Sequence, residues 1–456
     1  MKMSSFSERY NKRQGIGGAI VGVVVIVVII VAALAGYYAA SASITASTST
    51  QFSTVTQTQP PVTNTVTSTA TQTEVINGTV TKTLTSTSVS TSVSTSVSTS
   101  VSTSVSTSVS TSTATSTYEP SGTLTGAGST FVFPLMSVWS FGYTQIQPNI
   151  QVNYQSVGSG AGIAQITAGT VEFGASDAPL TAAQYAALPA GSTLLTIPEA
   201  VGSEVPAYNL PGVTTSLHFT GNVLAEIFLG TITMWNDPAI VALNPGVTLP
   251  AHAITVVHRS DGSGTTFVWT QYLSDSNPTW AKQVGFATTV NWPTGLGGKG
   301  NEGVAGVIEN TQYSLGYLEL SYVLSNPTLI TAGQVQNAAG NFISANQTSV
   351  QAALAAGSGS LPAGNVPWTT VSIVNAIYND TAATKAYPIT SFTYVLVYQQ
   401  QTNKQTATDL ANFIYWVVND AQSAGLNIGY VSLPASVVTL DDTTLGTITY
   451  NGTPVL

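Results

Sequence analysis

Apolar and polar positions follow three different rules along the 456 residues. Residues 16–35, IGGAIVGVVVIVVIIVAALA, form an unbroken uncharged run. At 1.5 Å rise per residue, a helix of that length spans about 30 Å, the hydrocarbon thickness of a bilayer. From about Ser41 to Thr117 the chain is nearly all Ser, Thr, Val and Gln, with STSV in tandem between residues 88 and 110. Such a tract offers nothing to bury, so ordering entropy wins and an extended or disordered stalk is expected. From about Glu119 onward, short runs with strand and helix spacing alternate.

In that last part IQVNYQSV (150–157) and AITVVHRS (253–260) are β-rich, and each precedes a Gly/Ser turn and a helical pattern. PLMSVWSFGYTQI (134–146) carries Leu135, Val138, Trp139 and Phe141 at the spacing of a buried helix face. GIAQITAGT (162–170) and TTFVWTQYLS (265–274) suit short helices. Strand, glycine turn, helix, strand is the grammar of an α/β sheet.

Charge sharpens the division. Lys2, Arg9, Lys12 and Arg13 precede the apolar run, which places the N-terminus inside and the rest outside. The run reads as a retained membrane anchor, a cleaved secretory signal, or the helix left by a prepilin-type cut near Gly15; all three export the C-terminal domain. Asn77, Asn346, Asn379 and Asn451 head N-glycosylation sequons. Residues 119–456 hold five basic and 17 acidic groups, a net near −12. That balance argues against a nucleic-acid partner, which needs clustered Lys and Arg. The chain has no cysteine, hence no disulfide, thiolate metal site or lipid-modified cysteine.

Three turns look alike: GAGSTF (126–131), GSGAG (158–162) and DGSGTT (261–266). Each sits before an expected helix, where free N–H groups and Ser/Thr hydroxyls make an anion site. Arg259, the only arginine after Arg13, stands beside the third. A guanidinium suits a tetrahedral oxyanion, and Asp261 is placed to orient it. Asp177, in FGASDAP (173–179), is the odd member, since a carboxylate repels an anion unless that anion has a proton to give. Phosphate has one and sulfate does not. The alternative for Asp177 is a cap on a helix starting near Pro179.

LTGAGSTF, YQSVGSGAGIAQITAGTVEFGASDAPL, HRSDGSGTTFVWTQYLS, WPTGLGGKGNEGVAGVIENTQYSLGYLELSY, YPITSFTYVLVY and YVSLP occur in that order. Together they resemble the phosphate-binding protein of high-affinity phosphate ABC importers, across residues 122–435. The resemblance implies an α/β, two-lobed periplasmic-binding-protein fold of type II, with a hinge and phosphate held between the lobes. Residues 1–40 are then the cytoplasmic tip and anchor or signal, and 41–118 the stalk. Lobe I takes 119–203 and 391–456; lobe II takes 204–390. By the same resemblance, Thr130, Phe131, Ser159, Asp177, Arg259, Ser263, Gly264 and Thr265 face phosphate. Ser129, Gly158, Gly160, Asp261 and Gly262 support them. Ser129 stands where the family commonly has alanine, and TFVFP replaces TFPAP.

The function implied is capture of phosphate by a monomer, without cofactor or metal, and delivery to a membrane permease with its ATPase. An envelope sensor or adhesive protein on the same fold, or a receptor for another oxyanion, are the alternatives. Enzymatic readings find little purchase. Ser159 and Ser263 lie outside a G-x-S-x-G frame, no triad spacing joins His218, His252 and His258, and GGKGNEG (297–303) lacks the Ser/Thr after a P-loop lysine.

Overall fold

The computed structural model describes residues 120–456, apart from residue 214 and residues 358–360, together with the backbone of three strands further upstream. The apolar run 16–35 lies outside the described residues. Among the described residues no helix is long and apolar enough to cross a membrane. Within the Ser/Thr tract, expected to be extended or disordered, Thr63–Ile76 and Val80–Val93 pair antiparallel, and Thr107–Ser108 pairs with the second. The physical reason is composition: Thr and Val are β-branched and favour extended, paired backbone even without a core.

Residues 120–456 follow the expected α/β grammar. Strand β1 (Gly122–Gly128) leads to helix α1 (Phe133–Ile146), and β2 (Ile150–Ser156) leads to α2 (Ser159–Thr167). After β3 (Phe173–Ser176) and the long β4 (Leu194–Asn209), the pattern resumes with β5 (Thr255–Arg259) and α3 (Gly264–Ser276). Then come β6 (Leu296–Gly298), α4 (Gly300–Asn310), β7 (Ser314–Glu319) and β8 (Thr390–Tyr398). The sheet runs β6–β5–β7–β4–β8–β3–β1–β2. Its two flanks are parallel, and β4 and β8 run antiparallel at the centre.

Strand β4 joins two halves. Leu194 to Ser203 pair with β8, whereas Glu204 to Asn209 pair with β7. It is buried almost throughout, as befits a strand covered on both faces. Pro198 is tolerated because the register slips there: Thr393 faces Ala200 and Tyr394 faces Pro198, leaving Glu199 as the extra residue of a bulge. One apolar core gathers side chains from Leu124 to Val201 and from Phe392 to Ile448, joined by Val350, Ala353, Leu354, Trp368, Ile373, Ile377 and Ala386. A second runs from Val205 to Val335 and includes Val374, Tyr387 and Ile389.

Helix α1 shows how pattern becomes packing. Leu135, Val138, Trp139 and Tyr143 are buried, and the Trp139 indole donates to the Ala421 carbonyl at 3.0 Å. Phe141, expected on the buried face, instead points outward at 45% exposure. Gly142 takes the inward place, against the Trp416 ring, where a larger side chain has little room.

Candidate functional site

Four strand–turn–helix units, β1–α1, β2–α2, β5–α3 and β6–α4, bring helix N-termini to the carboxyl ends of their strands. That is where open α/β sheets bind ligands, and helix N-termini offer unsatisfied N–H groups there. The turns come from both halves of the sheet and touch. Gly160 N donates to Gly262 O at 2.9 Å, and Gly264 N donates to Ser159 Oγ at 3.0 Å. Such closeness requires glycine. Gly158 has φ +92°, and a Cβ on it would sit 2.3 Å from Asp261 Oδ2.

Arg259, at the end of β5, is buried. Its Nε donates to Asp261 Oδ1 at 2.8 Å and one terminal nitrogen to Oδ2 at 2.5 Å, a two-point fork. The other terminal nitrogen donates to Thr265 Oγ1 at 3.3 Å. Burial works against charge on Arg259, but the bonds and charge of Asp261 more than offset it, so the guanidinium is held firmly protonated. Partial burial also works against Asp261, yet Arg259 and the Gly300 N–H keep its carboxyl below the ordinary range. Ser263 caps α3, its Oγ accepting from Thr266 N at 3.0 Å, which leaves the hydroxyl proton for another partner.

Asp177 is also buried and belongs to the same cluster. Ser129 Oγ donates to its Oδ1 at 2.5 Å, and Ser159 Oγ lies 3.5 Å from Oδ2. Burial pushes Asp177 up to about 6, while Ser129, Thr393, Arg259 and Ser159 hold it down. It caps no helix: the next one starts at Ala182 and is capped by Thr181 through a capping box with Gln184. Thr130 and Phe131 occupy the first turn, both buried, and Phe131 N donates to Ser129 Oγ at 2.9 Å. All eight residues expected to face an anion, and the five expected to support them, thus lie on these touching turns or on the strand ends that feed them.

A PBP superfamily domain model matches residues 85–421. The phosphate-binding protein PstS of Xylella fastidiosa is 40% identical over 316 residues, covering 69% of this chain and 82% of that one. PstS of Pasteurella multocida is 41% identical over 317 residues, covering 69% and 88%. PstS of Methanocaldococcus jannaschii is 35% identical over 324 residues, covering 68% and 82%. The chain belongs to the PstS family of the PBP superfamily. The fold is also that of a phosphate-binding protein from Stenotrophomonas maltophilia, with TM-score 0.54 at 18% identity, covering 73% of this chain and 96% of that one. A periplasmic phosphate-binding protein solved with phosphate bound matches at TM-score 0.54 and 20% identity, covering 71% and 92%.

This PstS family member adds residues that local sequence patterns do not single out. Asn301, fully buried in the first turn of α4, donates from N and Nδ2 to Thr130 Oγ1 at 3.1 and 2.9 Å. Tyr322 OH donates to Thr130 O at 2.6 Å, and Tyr430 OH to Phe131 O at 2.5 Å, so the last two carbonyls of the first turn are tied back. A signal for Asn301 does exist. KGNEG repeats the glycine-turn-then-helix grammar of the other three turns, although its lysine suggests only a failed P-loop. The tyrosines carry no such local signal, because their partners lie 192 and 299 residues away.

Proposed function

We propose that the protein captures inorganic phosphate outside the cytoplasm and delivers it to the permease of an ABC importer. The observation that carries this reading is one constellation in a PstS family chain. A single guanidinium and a ring of hydroxyls and N–H groups surround one buried carboxylate, Asp177. The N–H groups of Thr130 and Thr265, those of Phe131 and Gly264 on exchanging their bonds to Ser129 Oγ and Ser159 Oγ, the hydroxyls of Ser159 and Ser263, and Arg259 would donate to the oxyanion; Asp177 would accept its proton. Sulfate has no proton to give, and a lone pair facing it inside a water-excluded cleft is costly. A net-negative chain can hold an anion this way because local oriented dipoles, rather than overall charge, set the field at the site.

The lobes would divide near Ser203/Glu204 and Thr390, where β4 and β8 pass between the two cores. The uncharged run 16–35 and the basic residues before it support a membrane anchor, with the chain monomeric on the outer face. Asn346, Asn379 and Asn451 are exposed, which suits glycan attachment. Binding rather than catalysis is also supported by the histidines. His218 stacks on Phe342, His252 on Tyr313 and His258 on Trp292, so none is paired with the serines of the site.

Calorimetric titration of the purified chain with phosphate, and separately with sulfate, tests the reading. Heat from phosphate alone is the expected result, with the preference weakened in Asp177→Asn. Absence of phosphate heat would leave the sensor and adhesion readings in its place.

A further inference from the structure

The two threonine hydroxyls of the site share one unassigned neighbour. A hydroxyl has one proton and two lone pairs. Thr130 Oγ1 accepts from Asn301 N at 3.1 Å and from Asn301 Nδ2 at 2.9 Å. Thr265 Oγ1 accepts from Arg259 at 3.3 Å and from the same Nδ2 at 3.2 Å. Both lone pairs of both hydroxyls are therefore engaged. Among the described residues neither hydroxyl finds an acceptor for its own proton. The Asn301 amide cannot be turned around, because its Oδ1 faces the Glu319 N–H at 3.5 Å and a flipped amide would oppose donor to donor. Asn301 itself is buried, so water does not replace it.

We propose that Asn301 is a positioning residue that sets the hydrogen-bond polarity of the cleft: by occupying the acceptor sides of Thr130 and Thr265, it leaves each hydroxyl only a proton to offer an oxyanion. The inference rests on the phosphate-receptor reading. It explains how a site built from hydroxyls, which in general donate or accept equally well, becomes a set of fixed donors around the single acceptor Asp177. It also links the halves, since Thr130 belongs to the β1–α1 turn and Thr265 to α3. Without the side-chain amide each hydroxyl keeps only one donor, the residue-301 N–H on Thr130 and Arg259 on Thr265, so one lone pair is released and the proton is no longer held toward the ligand.

The test is a cycle read by phosphate titration of the full chain. Asn301→Ala is made in the native background, in Thr130→Ser/Thr265→Ser, which keeps both hydroxyls, and in Thr130→Val/Thr265→Val, which removes them. Bonds to a charged ligand of this kind are worth roughly 10- to 100-fold in affinity. A loss of that size is expected in the native and serine backgrounds, shrinking to less than about threefold in the valine background. An equal loss in all three would overturn the proposal and make Asn301 a packing residue. Asn301→Leu, nearly the same shape and uncharged but without the amide donor, supplies the same cycle should the alanine variant not melt cooperatively. Phosphate binding by the native chain with a flat cycle sinks this inference alone. No binding by the native chain sinks the receptor reading and this inference with it.

Discussion

At the scale of single residues, the site turns on where protons sit. Asp177 accepts while ionised, and burial has pushed it up to about 6. In the proposed receptor it would meet the oxyanion above that value as a pure acceptor and disfavour sulfate. As pH falls through about 6 it takes up a proton, becomes able to donate, and the penalty against sulfate fades. Sulfate competition against bound phosphate is therefore expected to strengthen below about pH 6. Ser129, the departure from the family's usual alanine, grips Asp177 at 2.5 Å and holds its pKa down. Ser129→Ala should move the onset of sulfate competition to higher pH; an onset that stays put would mean the hydroxyl has no hold on the proton. Arg259→Lys keeps the charge but loses the fork on Asp261. Phosphate affinity is expected to fall by roughly 10-fold or more, as measured by titration.

At the scale of elements, two helix caps separate stability from function. Thr181 caps a five-residue helix that has no buried residue and contributes none to the site. Ser263 caps α3 inside it. Either residue changed to alanine is expected to cost about 1 kcal/mol in denaturant unfolding. Only Ser263→Ala should also weaken phosphate binding, because only there is the capping hydroxyl one that would donate its remaining proton to phosphate in the proposed function. The same elements show how much the chain discloses by itself. Helix α1 and strand β2 follow directly from local periodicity, since their burial repeats every few residues, whereas α3, buried at nearly every position up to Leu273, and β5, without strict alternation, are legible only as helical and β-rich runs beside a glycine turn. The site turns are legible because glycine, serine and threonine cluster before each helix. Ser159 to Ala161 have the composition of a turn, yet they form the first turn of α2. Strand β4 has no local signature: Pro198, Gly202 and Pro206 look like breakers, and a bulge with two partner strands makes them admissible. Phe141 obeys the helical period and still faces outward. Its place is decided by Trp416, 275 residues further on, which no local window sees.

At the scale of the whole molecule, buried carboxyls set the response to pH. Glu199 is the bulge residue of β4, while Glu204 and Glu319 face each other across β4 and β7. Asp441 is buried beside Asp442. Among the described residues, one oxygen of Glu199, one of Glu319 and both of Glu204 and Asp441 have no hydrogen-bond partner. Burial pushes Glu199 and Glu319 up to about 8 and Asp441 to about 9, and it raises Glu204 as well; the Asp177 charge adds to the rise of the three glutamates. In the unfolded chain these groups ionise near their ordinary values of 4.5 for Glu and 3.8 for Asp. Between there and about 8 to 9, the folded state holds more protons than the unfolded one. Stability must then fall as pH rises through that window and level off above it. Asp261, held low by Arg259, acts oppositely, but only as pH falls below its ordinary range. Thermal midpoints are therefore expected to be highest at mildly acidic pH and to decline toward about 9, with Glu199→Gln and Glu319→Gln each flattening the decline. A midpoint that climbs between about pH 5 and about 8 would contradict the neutral state of these carboxyls. Since Glu199 and Glu204 lie on β4, where the chain passes between its two cores, and Glu319 faces Glu204 from β7, the same protons that keep the fold intact also keep that crossing uncharged.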